Sequence, residues 1–255
     1  YDEAVADFQD MLFSLPEPPE SEASETAPTV SVSGLVTYGR CPKQYFWSHV
    51  EPLPRRPCPA AARGVAVHRK IELHHLGHLP LDDASEAVYD VAELDAPADG
   101  RMPAWEAFLE SRFAGERPRL TEAPFEMQAN GFTIRGRIDA IYGDDHHWEI
   151  VDFKSGRPSD DPAMGLQLDA YAVAAADGAV SRSVPDEITV TFAYLGGGLQ
   201  ERSRRVDAAE LSGARARIGG VVGGLAEAAF DPIPSDRCRR CDFLSVCPEG
   251  REATG

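Results

Sequence analysis

The sequence lacks the features of several large protein classes. No apolar run approaches the roughly 18 residues that a membrane-spanning helix needs, and no N-terminal stretch has the regions of a signal peptide. The G-x-x-x-x-G-K-[ST] pattern of P-loop ATPases is absent as well. We therefore expect a cytoplasmic protein with no membrane partner. Because the chain begins with Tyr1, we also expect it to be a fragment of a longer protein.

Basic residues are scarce. The 255 residues include 25 lysines and arginines against 42 aspartates and glutamates, which gives a formal net charge of −17. Residues 1–26 contain no lysine or arginine and contribute −8, so the rest of the chain carries −9. Because nucleic acid is a polyanion, a chain with this charge is not expected to capture it without a partner.

Composition divides the chain near residue 30. Residues 1–15 fit an acidic amphipathic helix, and Pro16–Thr29 is too rich in proline, serine and glutamate to pack a core. We interpret residues 1–29 as an acidic segment followed by a flexible linker. With 43% apolar residues in the whole chain, residues 30–255 can bury the core of one large domain.

The segment Phe132–Gly156, FTIRGRIDAIYGDDHHWEIVDFKSG, predicts two strands joined by a tight turn. Each strand carries one carboxylate among apolar residues, Asp139 in the first and Asp152 in the second. Side chains two apart on a strand share a face, so Asp152 and Lys154 point the same way, and a hairpin can bring Asp139 beside them. This group suits a divalent cation with an activated water, whereas the alternative is a buried ion pair on an edge hairpin.

The residues GRIDA and VDFKSG on these strands resemble motifs II and III of the PD-(D/E)xK nucleases, and they are most similar to the RecB-type nuclease domains. Two flanking patterns resemble the same family: Gly64–His68 matches its motif I, G-x-x-x-H, and QLDAY matches its Q-x-x-x-Y motif. The resemblance covers about Val30–Cys247. It implies an α/β fold with a restriction-endonuclease-like core, in which a mixed sheet is flanked by helices.

The resemblance also implies a metal site. In the family, Mg²⁺ or Mn²⁺ is held by groups that correspond here to His68, Asp139, Asp152 and the carbonyl of Phe153. A neutral imidazole and carboxylate oxygens are ordinary ligands for such an ion.

Other residues receive roles from the same resemblance. Lys154 would orient or deprotonate the attacking water, and Gln167 and Tyr171 would line the site and position the DNA strand. An acidic residue of the preceding strand often joins the site in this family. Glu126 fits by its position, and Glu122 is the competing choice.

The five cysteines have no secretory context, which favours metal ligation over disulfides. Cys238, Cys241 and Cys247 form a C-x2-C-x5-C pattern, and Cys41 brings the number of thiolates to four, which suits either a [4Fe–4S] cluster or zinc. The chain resembles the iron–sulfur members of the RecB-type family, which implies a cluster that ties the two ends of the domain together. Cys58, which lies among prolines, receives no ligand role.

Helical periodicity is visible in five segments. Three histidines near the end of the second segment, His74, His75 and His78, are interpreted as solvated. The predicted helices are Gly34–Ser48 with Ser33 as its N-cap, Ala61–Leu76, Pro103–Phe113, Met164–Ala176 and Ala208–Phe230.

These features together favour a metal-dependent nuclease domain that hydrolyses DNA phosphodiester bonds. RecB-type domains occur in helicase-nucleases, so the resemblance implies a single strand delivered by an ATP-dependent helicase domain or subunit during resection of double-strand breaks. Two alternatives remain. One is a non-catalytic module that holds DNA or has a structural role, and the other is a zinc protein with four cysteine ligands and an unrelated fold.

Overall fold

The computed structural model of the protein describes residues 27–55, 58–77 and 102–255. The helix expected over residues 1–15, most of the expected linker, and His78 lie outside these residues. Six strands in the described ranges form one sheet. They are β1 (Thr29–Ser31), β2 (Leu120–Ala129), β3 (Phe132–Gly143), β4 (His147–Lys154), β5 (Glu187–Tyr194) and β6 (Gln200–Val206).

Strand β3 organises the sheet. One of its edges pairs with antiparallel β2, from Phe132 to Ile141. Its other edge pairs first with parallel β1 and then, from Ala140 to Gly143, with antiparallel β4. β4 continues in parallel with β5, which pairs antiparallel with β6. The expected mixed sheet is therefore confirmed.

Helices cover both faces of this sheet. In the described ranges they are α1 (Val32–Arg40), α2 (Pro42–Tyr45), α3 (Pro59–His75), α4 (Pro103–Leu109), α5 (Arg112–Gly115), α6 (Gly165–Ala176), α7 (Ala208–Ala226) and α8 (Pro248–Glu252). Helices α1, α6 and α7 pack on one face, over Ile134 and Ile150. Helices α3, α4 and α5 pack on the other face, over Val151 and Phe153, and the apolar cluster there is called the second core. No helix in the described ranges is both long and apolar enough to cross a membrane.

The prediction of a helix over Gly34–Ser48 with Ser33 as its N-cap is wrong in the length of the helix and in its N-cap. Helix α1 ends at Arg40 and Cys41 is extended, because a residue that precedes a proline is disfavoured in the helical conformation. After this break come α2 and a π-helical turn over Phe46–Val50. The N-cap is Ser31, whose hydroxyl accepts the N–H of Gly34 at 3.0 Å, and not Ser33. The helix predicted over 103–113 is likewise divided into α4 and α5.

The histidines at the end of α3 are also not solvated. Nε2 of His74 lies 2.9 Å from the carbonyl oxygen of Ala114, and Nε2 of His75 lies 2.9 Å from the hydroxyl of Tyr142. Burial lowers the pKa of His75 to about 4. His75 is therefore neutral near pH 7, and its ring packs edge-on against Phe108 in the second core.

Gly136 marks a point where β3 makes room for a side chain of β2. The ring of Phe125 packs edge-on against the ring of Tyr171 on α6, with 5.9 Å between the ring centroids. A Cβ at position 136 would overlap the ring of Phe125 and would lie 2.7 Å from Cγ2 of Val32. The absent side chain thus lets β2, β3 and α6 approach one another.

We expect Gly136→Ala to lower the free energy of unfolding by about 1–3 kcal/mol, because the added methyl group overpacks this contact. Gly220→Ala on α7 is the matched control, since a Cβ there would point into open space within the described part of the chain. The control should be neutral or stabilising by about 0.5–1 kcal/mol. Thermal and urea unfolding measure both variants, and equal stabilities would contradict the packing assigned to Gly136.

Candidate functional site

The site lies where β3 and β4 separate. The two strands pair as far as Ala140 and Val151, and the same register would place Asp139 opposite Asp152. There, the carboxylate of Asp139 accepts the backbone N–H of Phe153 at 2.8 Å, in place of a ladder bond between the strands. The opening between the strands therefore receives one carboxylate from each of them.

Helix α3 brings His68 to this opening. Nδ1 of His68 lies 3.3 Å from Oδ2 of Asp139. The neighbouring Val67 is buried in the second core, which fixes the rotation of the helix. Gly64 lies close to the end of β4, because a Cβ there would come within 3.2 Å of the hydroxyl of Ser155. The glycine of the G-x-x-x-H pattern thus lets the helix approach the strand that carries Lys154.

Of the two glutamates considered from the sequence, the structure places Glu122 beside this pair. Ligand atoms of His68, Glu122 and Asp139 all lie within 4.8 Å of one another. The backbone of Glu122 has a φ of 49°, which is uncommon for a residue with a side chain. Glu126 lies on the exposed part of β2, where it pairs with Arg135 at 2.7 Å.

The carboxylate of Asp152 is buried and is surrounded by polar groups. Nζ of Lys154 lies 2.6 Å from Oδ2, while Nε2 of Gln167 donates to Oδ1 at 2.6 Å. The hydroxyl of Tyr171 also donates to Oδ1, at 3.3 Å, and itself accepts from Nε2 of Gln167 at 2.8 Å. Oε1 of Gln167 accepts from Lys154 at 2.8 Å. Gln167 therefore holds the carboxylate and the ammonium in a fixed relation.

The Q-x-x-x-Y pair contacts Asp152 from α6. Tyr171 is only 3% exposed, and its hydroxyl donates to Asp152. Gln167 lies between Asp152 and Lys154 and orients both. The side chain of Lys154 is 23% exposed and presents its ammonium at the mouth of the site.

The electrostatics of the site favour an added cation. Burial and the charge of Asp139 raise the pKa of Asp152, and burial followed by the charges of Asp139 and Glu72 raises the pKa of Glu122. Burial lowers the pKa of His68, but its hydrogen bond to Asp139 and the nearby carboxylate charges outweigh burial and raise it overall. The carboxylates are therefore held closer together than their mutual repulsion favours.

The donor atoms also fit a hard divalent cation. Oδ2 of Asp152 is buried, and the ammonium of Lys154 lies 2.6 Å from it. The carbonyl of Lys154 faces β5, where it accepts from Leu195. Backbone groups alternate along a strand, so the carbonyl of Phe153 faces the opposite edge, beside Asp139. Oxygen atoms and one imidazole are the ligands that Mg²⁺ or Mn²⁺ takes.

A second buried carboxylate, Asp169, fixes α6 from behind. It accepts from Nε and Nη2 of Arg217 on α7 at 2.7 and 2.9 Å, and from Nη2 of Arg204 on β6 at 2.8 Å. Asp169 was not predicted as a functional residue. Its sequence signal is a lone carboxylate inside the apolar helix GLQLDAYAVAAA.

Four cysteines line one pocket beside the loop that leads into α6. The pocket, about 290 Å³ in volume, is lined by Cys41, Cys238, Cys241 and Cys247, whereas Cys58 is exposed and lies outside it. Burial, and after it the charges of the other three thiols, raises the pKa of Cys241. No three sulfur atoms among these described cysteines lie within 4.8 Å of one another. The sulfurs are therefore more widely spaced than the roughly 3.8 Å of a tetrahedral zinc site with 2.3 Å bonds.

Backbone N–H groups point at these sulfur atoms. Such donors favour the thiolate form, and hydrogen bonds to the sulfur atoms of a bound iron–sulfur cluster shift its reduction potential. The N–H of Ile233 donates to Sγ of Cys41 at 3.5 Å, that of Ser235 to Sγ of Cys238 at 3.4 Å, and that of Gly250 to Sγ of Cys247 at 3.3 Å.

Similarity to known proteins places the chain in a nuclease superfamily. The sequence model of the PD-(D/E)XK nuclease superfamily matches residues 29–248, so the chain belongs to this superfamily. The Gene 69 protein of Mycobacterium phage D29 is 25% identical over 267 residues, which cover 87% of this chain and 97% of the phage protein.

Two solved structures are similar in fold. A candidate exonuclease from Eubacterium rectale has a TM-score of 0.54 and 10% identity, with 93% of each chain covered. The structure of SSO0001 has a TM-score of 0.46 and 17% identity, over 96% of this chain and 97% of its own. The first of these likenesses supports the α/β core described above.

We expect Glu122→Gln to weaken Mn²⁺ binding by about ten- to hundredfold, because it removes a charged oxygen next to His68 and Asp139. Glu126→Gln is the matched control, since Glu126 lies on the same strand but pairs with Arg135. Calorimetric titration with Mn²⁺ measures both affinities. The placement of Glu122 is wrong if the two variants bind the ion equally well.

Proposed function

We propose that this chain is a nuclease that hydrolyses DNA phosphodiester bonds with the help of Mg²⁺ or Mn²⁺. The observation that carries this proposal is the group of ligand atoms from His68, Glu122 and Asp139, all within 4.8 Å of one another, beside the buried pair of Asp152 and Lys154. His68, Asp139, Asp152 and the carbonyl of Phe153 would hold the ion, with Glu122 as a further oxygen ligand.

A divalent cation held by these residues would supply Lewis-acid chemistry to a phosphate oxygen and to the attacking water. Lys154 places an ammonium at the mouth of the site, where it orients the attacking water and offsets the negative charge that develops around phosphorus. Gln167 keeps the amine of Lys154 directed at this place, and Tyr171 supports Gln167 from the core. Asp139 holds the peptide of Phe153, which keeps the opening between the strands in one shape. This intact set disfavours a non-catalytic module with a relic site.

We also propose that the cysteine pocket holds a [4Fe–4S] cluster. Support comes from four cysteines around one pocket and from backbone donors aimed at the sulfur atoms. The cluster would tie Cys41 near the start of the domain to the segment 238–247 at its end. Such a link removes chain entropy from the unfolded state and should stabilise the fold.

The charge of the chain bears on how DNA reaches the site. A formal net charge of −17 disfavours unassisted capture of a polyanion. We infer a RecB-type arrangement in the cytoplasm, in which an ATP-dependent helicase domain or subunit delivers a single strand to this domain during double-strand break repair.

We expect Asp152→Asn to reduce DNA cleavage at least about hundredfold while the chain stays folded, because the variant removes a charge from the metal site and keeps the shape of the side chain. Asp186→Asn, at an exposed carboxylate paired with His146, is the control and should cleave as the wild type does. Gel assays with Mg²⁺ and with Mn²⁺ measure the rates. Wild-type cleavage by Asp152→Asn would refute this assignment of the active site.

If the cysteine pocket holds the cluster, anaerobically purified protein should be brown, with absorbance at about 400 nm and about four iron atoms per chain. Cys241→Ser should lose the iron and lower the thermal midpoint, whereas Cys58→Ser should keep both, since Cys58 is exposed. Metal analysis and visible spectra measure these properties. A colourless protein with one zinc per chain would show that the pocket holds zinc and not an iron–sulfur cluster.

A further inference from the structure

Asp161 is a buried carboxylate in the loop between β4 and α6, and its side chain is only 5% exposed. Its Oδ2 accepts from Nε of Arg40 at 2.7 Å. Its Oδ1 accepts the N–H of Ala163 at 3.1 Å and lies 3.6 Å from Nη2 of Arg237. The active-site contacts described above make no use of Asp161, yet it joins two arginines from distant parts of the chain.

Both arginines are direct neighbours of cysteines in the pocket. Arg40 precedes Cys41, and Arg237 precedes Cys238. Arg237 also donates to the carbonyl of Asp160 at 3.2 Å, so it binds the backbone of the loop as well. The two ends of the domain that carry the cysteines therefore meet on the same loop. The loop and both arginines line the cysteine pocket.

The other side of Asp161 is the start of the helix that serves the active site. Asp161 caps the short 3₁₀ turn over Pro162–Met164, which leads directly into α6. Gln167 and Tyr171 lie on the first two turns of α6. A second contact fixes the same place, since a Cβ at Gly39, next to Arg40, would come within 2.5 Å of Cδ1 of Leu166. A shift of the cysteine-bearing segments would therefore also displace the start of α6.

We propose that Asp161 is a positioning residue that couples the cysteine pocket to the active site by clamping the start of α6 between Arg40 and Arg237. Occupation of the pocket then keeps Gln167 in register with Asp152 and Lys154, and loss of order around the cysteines loosens Gln167. This coupling rests on the proposed function, because its effect on catalysis requires the nuclease site. Coupling between two sites is reciprocal, so a weakened clamp must also loosen metal held in the pocket.

The test compares Asp161→Asn with Asp160→Asn in the metal-loaded protein. Asparagine is as good an N-cap as aspartate, so Asp161→Asn keeps the cap and removes the charge that holds the two arginines. Asp160 is the matched control, because its side chain is 95% exposed and pairs only weakly, with Arg202 at 3.2 Å. Three quantities are measured: hydrogen exchange of residues 162–171, release of metal to excess EDTA, and kcat and KM for cleavage of single-stranded DNA.

For Asp161→Asn we expect exchange in 162–171 and metal release to accelerate about tenfold, with exchange in β4 and β5 unchanged. We expect kcat to fall about ten- to hundredfold with KM within about twofold, because the substrate still binds while Gln167 and Lys154 are displaced. Asp160→Asn should match the wild type in all three. The proposal is overturned if Asp161→Asn matches Asp160→Asn, or if exchange rises equally throughout the sheet.

Two further comparisons keep the test decisive. If Asp161→Asn does not fold, Arg237→Gln removes one arm of the clamp from a half-exposed position, and wild-type exchange and metal release in that variant overturn the proposal. If the wild type cleaves no DNA with either metal, the proposed function fails. Exchange and metal release still decide whether the clamp exists.

Discussion

The burial of Asp152 is the constraint on which the rest of the site depends. Removing an ionised carboxylate from water costs several kcal/mol unless partners compensate it. Lys154 supplies the opposite charge, and Gln167 and Tyr171 supply hydrogen bonds from α6. Because these partners come from a strand and from a helix on its face, the need to satisfy one charge fixes how α6 lies on the sheet. The contacts of Asp169 behind the helix secure the same placement.

The separation of β3 from β4 turns this packing into a site. A regular ladder would consume the backbone groups of both strands, whereas here the carboxylate of Asp139 takes the N–H of Phe153 and leaves the strands open. His68 and Glu122 then reach the opening from α3 and β2. The charge collected there is mostly negative, so the fold itself creates the demand for a cation that the chemistry of phosphodiester hydrolysis uses.

Local patterns predicted the parts of this structure that depend on neighbouring residues. The strands of Phe132–Gly156 and helix α6 lie within one or two residues of the predicted bounds, because alternation and helical spacing record which faces are buried. Other features depend on distant contacts. The choice of Glu122 depends on a φ of 49° that sequence does not reveal, and the clamp on Asp161 joins segments about 120 and 76 residues away. The helix break at Cys41 had a visible signal in the following proline.

The central claim is that one divalent cation sits at the opening between β3 and β4. Crystals grown with Mn²⁺, measured at a wavelength where manganese scatters anomalously, locate the ion without reference to activity. We expect one strong anomalous peak at about 2.0–2.6 Å from atoms of His68, Asp139 and Asp152. No peak in this opening at saturating Mn²⁺ would contradict the assignment of the site.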